Sequence, residues 1–366
     1  MKVTVVGSGP AGLAAAEVLA ECGTRVTIID HHTSPSRKFL LAGRGGLNLT
    51  HSEPLEKLLT RYGVARPRLE PMIRAFPPEV LRDWCHGLGI ETFVGSSGRV
   101  FPAHMKASPM LRAWLRKLES HGVEMQLNRE WRGFNDIPTV LALGGASWPE
   151  LGSTGTWRDV LLRAGVEVLP FRASNVRQPV AWSAGFAEKF SGQPIKNVSV
   201  ACNGVVVRGE LMVARDGIEG GAIYALSEPL RQSRRIEIDL KPDLPLAVVE
   251  ARLEKPRGKE SRSNFYRKTF NLSPPAIALM REANSDNPKQ VTLQLGAEAD
   301  LRRAISTAGG VAWHEVDDDL SLHKFPRTFV AGEMLDWDAP TGGYLIHAAI
   351  ATGRWAGMGL LKALQG

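Results

Sequence analysis

The chain has 366 residues, enough for two or three domains, and its 43% hydrophobic and 23% charged content is ordinary for a soluble globular protein; no apolar run approaches the ~20 residues that span a bilayer. Cys22, Cys85 and Cys202 are isolated, without a C-x-x-C pair, which argues against a disulfide framework, a structural metal or an iron–sulfur cluster and for a reduced, cytoplasmic setting. The net charge of +7 permits an acidic partner, but the excess between Arg252 and Lys268, seven basic residues against two acidic, has only Phe265 and Tyr266 as aromatic neighbours, so a solvated surface is expected there rather than a nucleic-acid platform.

The opening stretch, Lys2 to Asp30, carries the strongest local pattern. Val3, Val5 and Val6 predict a strand buried on both faces. Gly7, Gly9 and Gly12 then fit G-x-G-x-x-G, with Ser8, Pro10 and Ala11 between them. The first glycine permits a tight turn, the second lets a pyrophosphate approach the backbone, and the third lets the next helix pack closely. That helix is predicted from about Ala11 to Cys22 and is closed by Gly23. Its N-terminus offers free N–H groups and a positive dipole end to a diphosphate. A second strand, Arg25 to Ile29, ends in Asp30, whose carboxylate suits ribose hydroxyls and disfavours a 2′-phosphate. His31 and His32 follow, in a loop where His31 is a candidate to cover an adenosine.

Residues 34–53, SPSRKFLLAGRGGLNLTHSE, combine Arg37, Lys38 and Arg44 with Gly43, Gly45 and Gly46, and with Asn48 beyond. This composition predicts a loop that folds over an anionic, planar cofactor. Residues 54–125 read as mainly helical, with breaks at Pro67, Pro71, Pro77 and Pro78. Gly98 to Ser108 is expected to be a short strand and turn opening a helix from about Pro109 to His121, whose Leu111, Trp114, Leu115 and Leu118 form a core face. Val123 to Leu127 is a further strand, in this class of fold the one beside the adenine, with backbone contacts from a turn near Trp131. Val140 to Leu143 is a buried strand ended by Gly144 and Gly145, where small residues let a cofactor cross the sheet edge. Ser153 and Thr154 are placed to cap or contact the helix from Trp157 to Ala164.

From Val166 the pattern changes to short strands with glycine and proline turns. The expected organisation is an α/β domain from both chain ends, residues 1–165 and 301–366, an inserted β-rich domain, 166–233 and 288–300, and a small helical subdomain, 234–287. In the last part, Thr328 to Ala331 is a strand, followed by Gly332, Glu333 and Asp336, and then by Gly342 and Gly343 before Tyr344 and a long small-residue helix. Such a helix N-terminus can stabilise negative charge on a flavin pyrimidine edge, and Asp336 or Glu333 can accept from a ribityl hydroxyl.

Taken together, GSGPAGLAAA, RKFLLAGRGGLNLTH, GRVFPAHMKAS, LGGASWPELGSTG, GELMVARDGIEGG, TAGGVAWHEV and FVAGEMLDWDAPTGGY resemble the BaiN-like (YhiN-like) flavoproteins, also called aminoacetone-oxidase-family FAD-binding enzymes. The resemblance implies a Rossmann-like FAD domain with the two insertions. By position, Gly7, Gly9 and Gly12 match the diphosphate loop, and Asp30 the ribose acid. Arg37, Lys38, Gly43, Arg44, Gly45 and Asn48 match the flavin loop. Gly332, Glu333, Asp336, Gly342 and Gly343 match the C-terminal flavin segment. Two positions depart from the family pattern: Leu47 stands where a Cys is common, and Leu345 where an Asn is common.

The implied protein is an FAD-dependent oxidoreductase with non-covalent FAD. No second G-x-G-x-x-G is present, so NAD(P)H is expected at most as a transient electron donor. A small-molecule substrate is expected in a cleft between the FAD domain and the insertion, reached by segments carrying Tyr344, His347, His51 and Arg44. No catalytic acid or base is assigned, and no metal is expected. Three reactions are compatible: reduction of a conjugated C=C bond with NAD(P)H; oxidation of a small amine with peroxide release; and, from a different class, RNA binding or modification or non-catalytic flavin binding.

Overall fold

The computed structural model describes residues 2–43 and 45–365; Arg44, expected in the cofactor loop, lies outside the described residues. The chain divides into two compact units, Met1–Ala173 with Leu301–Gly366, and Ser174–Asp300.

The first unit is built on a six-stranded sheet. Strand β1 (Lys2–Val6) lies at its centre, between β2 (Arg25–Ile29) and the strand Thr139–Leu141, parallel to both. Glu124–Gln126 extends the sheet beyond β2. Phe325–Val330 and then Ser321–Leu322 extend it on the other side, the last pair antiparallel. The central strands are apolar on both faces because helices cover both sides. One cover is α1 (Pro10–Glu21), with Pro10 at its first turn and Gly23 at φ +77° just beyond its end. The final helix, Tyr344–Gln365, packs directly on α1: a Cβ on Gly353 would lie 2.1 Å from the Ala11 carbonyl oxygen.

Glu17 is buried in α1 and is held by three donors. Trp114 Nε1 donates at 2.5 Å, Trp84 Nε1 at 2.9 Å and Lys117 Nζ at 2.7 Å. Trp114 was expected as a core face alone; it also donates a hydrogen bond to a buried carboxylate that Lys117 pairs with, which a hydrophobic period cannot reveal.

Several local expectations shift. The loop predicted over residues 34–53 contains a short helix, α2 (Arg37–Ala42), and a strand, Thr50–His51. Pro67 and Pro78 sit in the first turns of the helices Arg66–Ala75 and Pro78–Gly87, where a missing N–H costs nothing, and Pro71 is carried inside the former helix. The insertion opens later than residue 166, because Val168–Ser174 pairs with Ser306–Val311 as a two-stranded sheet and Ala173 still belongs to the first unit.

The second unit is an antiparallel six-stranded sheet. Its longest pair, Pro194–Cys202 and Val205–Ala214, turns at Asn203–Gly204, both with positive φ as a two-residue hairpin requires. Arg235–Asp239 is a strand of this sheet, so the helical segment begins only at Leu246–Leu253 and continues through Arg262–Phe270 and Pro274–Glu282. Lys255, Arg257 and Lys259 are exposed between the first two of these helices. Among the described residues, no helix is long and apolar enough to cross a membrane.

Candidate active site

The turn between β1 and α1 forms one wall of a cavity of about 150 Å³. Its shape follows from the glycines. Gly7 adopts φ +100°, and a Cβ on Gly12 would lie 1.9 Å from the Gly7 carbonyl oxygen, so helix and loop touch backbone to backbone. A Cβ on Gly9 would meet nothing within 4 Å; this glycine faces open space. Gly7, Ser8, Gly9, Pro10 and Ala11 line the cavity, opposite Gly144, Gly152 and Ser153 and beside Gly332.

Asp30 lines the same cavity and also braces the loop. Its Oδ2 accepts from the Ser8 N–H at 2.9 Å and the Ser8 hydroxyl at 2.5 Å, and its Oδ1 accepts from the His32 N–H at 2.9 Å. Ser36, in the left-handed region at φ 56°, donates from its hydroxyl to the Ser8 carbonyl. His31 and His32 both reach the cavity, with ring centroids 4.1 Å apart. Arg37 Nη1 donates to His32 Nδ1 at 3.0 Å, and burial, His31 and Arg37 together hold the His32 ring below its usual pKa, as the neutral species.

Lys38 on α2 and Glu333 line both this cavity and a larger, adjoining one of about 490 Å³. Lys38 Nζ donates to Glu333 Oε2 at 2.8 Å and to Ser147 Oγ at 2.7 Å. Glu333 also accepts from the Thr307 N–H at 2.9 Å and the Gly145 N–H at 3.3 Å. The larger cavity is walled by Phe39, Trp148, Ile305, Trp337, Leu345 and Ile346, with Asn48, Arg99 and Ser306 as polar members. Gly342 and Gly343 close it at the N-terminus of the final helix. Gly343, at φ +97°, is obligatory there, because a Cβ would lie 2.5 Å from the Thr50 backbone. The N–H groups of that helix end give the cavity a positive pole.

Other expected site residues are placed elsewhere. Gly12 acts through packing, and Gly43 sits against Ala107, where a Cβ would come within 2.6 Å. Gly45 and Gly145 line neither cavity, Gly145 reaching the site through its N–H to Glu333. Trp131 packs edge-on against Phe134. Asp336 is engaged through its backbone, its carbonyl accepting from Trp313 Nε1 at 2.6 Å. Tyr344 turns away, donating to Glu53 Oε1 at 2.6 Å and stacking on His51. His51 Nε2 donates to the Ser97 carbonyl at 3.0 Å and does not line the cavity. His347 is fully buried between the Thr50 hydroxyl at 2.8 Å and the Phe76 carbonyl at 2.7 Å, and burial lowers its pKa to about 4. It is a structural histidine, with Nε2 donating to Phe76 and Nδ1 accepting from Thr50. Thr154 meets Thr156, and no side chain caps the helix Trp157–Arg163.

Trp148, Arg99, Ser306, Ser36 and Phe39 line the site without having been singled out in the sequence. Ser36 and Phe39 flank the basic pair, Arg99 and Trp148 lie inside stretches quoted for the family resemblance, and Ser306 directly precedes another. Among the described residues, Asn48 Oδ1 at the larger cavity and Ser153 Oγ and His32 Nε2 at the smaller one are buried without a hydrogen-bond partner. An open Gly9, a helix N-terminus at each cavity and an unsatisfied acceptor or hydroxyl in each fit a ligand with a diphosphate half and a planar polar-edged half, as FAD has.

Comparison with known proteins agrees. Residues 1–359 match the family described as HI0933-like protein Rossmann domain. The chain is 24% identical over 378 residues to the ribosomal RNA dihydrouridine synthase of Escherichia coli (strain K12), covering 93% of each protein. It is 26% identical over 260 residues to the protein of the same name from Haemophilus influenzae, covering 65% of this chain and 64% of that one. Its fold is similar to that of 3-ketosteroid delta1-dehydrogenase from Sterolibacterium denitrificans, with a TM-score of 0.53, 12% identity and 99% of both chains covered. Sdh1 from Mycobacterium smegmatis gives a TM-score of 0.51 at 16% identity, over 100% of this chain and 68% of that one. The chain belongs to the HI0933-like Rossmann-domain family and is an FAD-dependent oxidoreductase.

Proposed function

We propose that this flavoenzyme reduces the C5=C6 bond of a uracil in ribosomal RNA to give dihydrouridine, using a nicotinamide as electron donor. The observation that carries this reading is the likeness to a protein named for that activity over 93% of both chains. The chemistry agrees with the reduction of a conjugated C=C bond expected from the sequence, because C5=C6 is conjugated with the C4 carbonyl. FAD, when bound and reduced by NAD(P)H, would supply a hydride to C6, and C5 would take up a proton from water. The cytoplasm, where ribosomal RNA is found, is the proposed setting, and nucleic acid returns as a partner against the expectation drawn from charge distribution.

The residues have distinct parts in this reading. The Gly7–Gly12 turn and the α1 N-terminus bind the diphosphate, and Asp30 the ribose. Lys38 stands where the two halves of the cofactor meet, held in place by Glu333 and Ser147. The Gly342–Gly343 end of the final helix stabilises negative charge at the pyrimidine edge. The apolar side chains of the larger cavity exclude water from the reacting ring. An amine oxidase would need an aromatic or carboxylate clamp for the ammonium group; Glu333, the carboxylate of that cavity, is already bound by Lys38, Thr307 and Gly145, so the oxidase reading would rest on the aromatic side chains Phe39, Trp148 and Trp337.

The test is anaerobic. The holoprotein's visible flavin bands are bleached with NADPH or NADH, rRNA lacking dihydrouridine is added, and nucleosides from the RNA are weighed by mass spectrometry. Reoxidation by RNA with a uridine heavier by two hydrogens is the expected result. Bleaching by small amines with rapid peroxide formation, and no change in the RNA, would replace this reading by the oxidase.

A further inference from the structure

We infer that Trp148 is the platform on which the substrate's ring stacks in the larger cavity, an inference that rests on the RNA reading above. The chain has nine tryptophans. Seven of them donate their indole N–H to a protein acceptor: Trp84 and Trp114 to Glu17, and the others to backbone carbonyls. Trp131 has Phe134 against its ring. Among the described residues, Trp148 has neither a hydrogen-bond partner for its indole nor a ring neighbour, although it lines a cavity and is half-buried.

Its backbone is held where a tryptophan is not at ease. Trp148 adopts φ 59°, ψ 59°, in the left-handed region, directly before Pro149. A bulky side chain disfavours that region, and a following proline restricts the backbone further. The conformation persists because neighbours fix it. The Trp148 N–H donates to the Arg302 carbonyl at 3.2 Å, the Leu151 N–H donates to the Trp148 carbonyl at 2.9 Å, and Ser147 is bound by Lys38. Strain of this kind is retained where it aims a side chain. Trp148 lines the larger cavity together with Ile305, which is 40% exposed, and does not line the smaller one, whereas Lys38 and Glu333 line both.

An enzyme that reduces a base within folded RNA must take the base out of its stack and hold it by a planar surface and an edge contact. An unpaired indole supplies the planar surface, a face for a conjugated six-membered ring. The same chemistry would suit the flavin ring, so the test separates the two rings.

The experiment compares Trp148→Ala, Trp148→Phe and Trp148→Gly with the wild-type holoprotein. Trp148→Ala should keep its flavin-to-protein ratio and raise the KM for rRNA about tenfold, with Trp148→Phe restoring most of it. Trp148→Gly should weaken RNA binding as the alanine does. Loss of flavin from Trp148→Ala would assign the indole to the cofactor and overturn the inference. A wild-type KM in Trp148→Ala would also overturn it. Failure of the RNA reading looks different: wild-type protein makes no dihydrouridine. In that case retained binding of rRNA by the wild type, lost in Trp148→Ala, still supports the platform, and equal or absent binding by both removes it.

Discussion

The two adjoining cavities of the first unit are made in different ways. The smaller is shaped by backbone: Gly7, Gly9, Gly12, Gly144, Gly152 and Gly332 leave room or turn the chain, and side chains such as Asp30 and Ser36 tie loops together. The larger is shaped by side chains, among them Phe39, Trp148, Trp337 and Ile346, which come from segments far apart in the sequence. A backbone-built site recognises what every dinucleotide shares. A side-chain-built site can change its contents without changing the fold, so substrate identity resides there.

The strongest way to break that contrast is Gly12→Ala. The added methyl would meet the Gly7 carbonyl oxygen at 1.9 Å, so the protein should purify without flavin bands and fail to regain them with added FAD. A bound flavin in this variant would show that the loop yields. Next in size is Glu17→Ala, which leaves two indole N–H groups without their acceptor beneath α1, while Lys117 keeps its ion pair with Glu21. A loss of about 2–4 kcal/mol in denaturant unfolding is expected from the two unpaired donors; a loss below about 1 kcal/mol would mean that water replaces the carboxylate.

His347 tests the support of the larger cavity. Its folded pKa, about 4, lies below the unfolded 6.5. Above pH 6.5 both states are neutral and nothing is lost. As pH falls from 6.5 towards 4 the unfolded chain takes up the proton first, so stability should drop by about 3 kcal/mol over that window. His347→Gln should flatten this part of the pH–stability curve, and an unchanged curve would move the effect to another group. The smallest effect is expected from Lys38→Met, where both cavities meet. FAD affinity should fall about tenfold, equivalent to ~1.4 kcal/mol, with the apoprotein's melting point little altered. Titration of apoprotein with FAD by flavin fluorescence measures it; unchanged affinity would restrict Lys38 to holding Glu333.

The same contrast explains what could be read in advance. The β1–α1–β2 unit is local: Gly7, Gly9, Gly12 and Asp30 lie within one supersecondary motif, and spacing alone carries their geometry. The return of the chain at Phe325–Val330 and the pairing of Gly342–Gly343 with a long helix were also visible, because strand and helix patterns restart there. Tyr344 and His347 misled because, three positions apart on the helix, they share a face that packs on Thr50, Glu53 and Phe76, while Leu345 and Ile346 between them line the cavity. Trp148 lies within the quoted LGGASWPELGSTG stretch, but its conformation was not legible, since a left-handed tryptophan before a proline violates local preference and is held by Arg302, far along the chain, and by the turn to Leu151. Glu17 looked like one more polar residue of a helix whose partners lie 67 to 100 positions away.

Lys38 and Glu333 are 295 positions apart and touch at 2.8 Å. During synthesis, the diphosphate loop therefore leaves the ribosome long before the other half of the junction exists. A chain interrupted anywhere between them has the nucleotide motif but neither the strand Phe325–Val330 nor the helix that packs on α1. Flavin colour in a cell extract is then a count of finished molecules, and a yellow protein is one whose two ends have met.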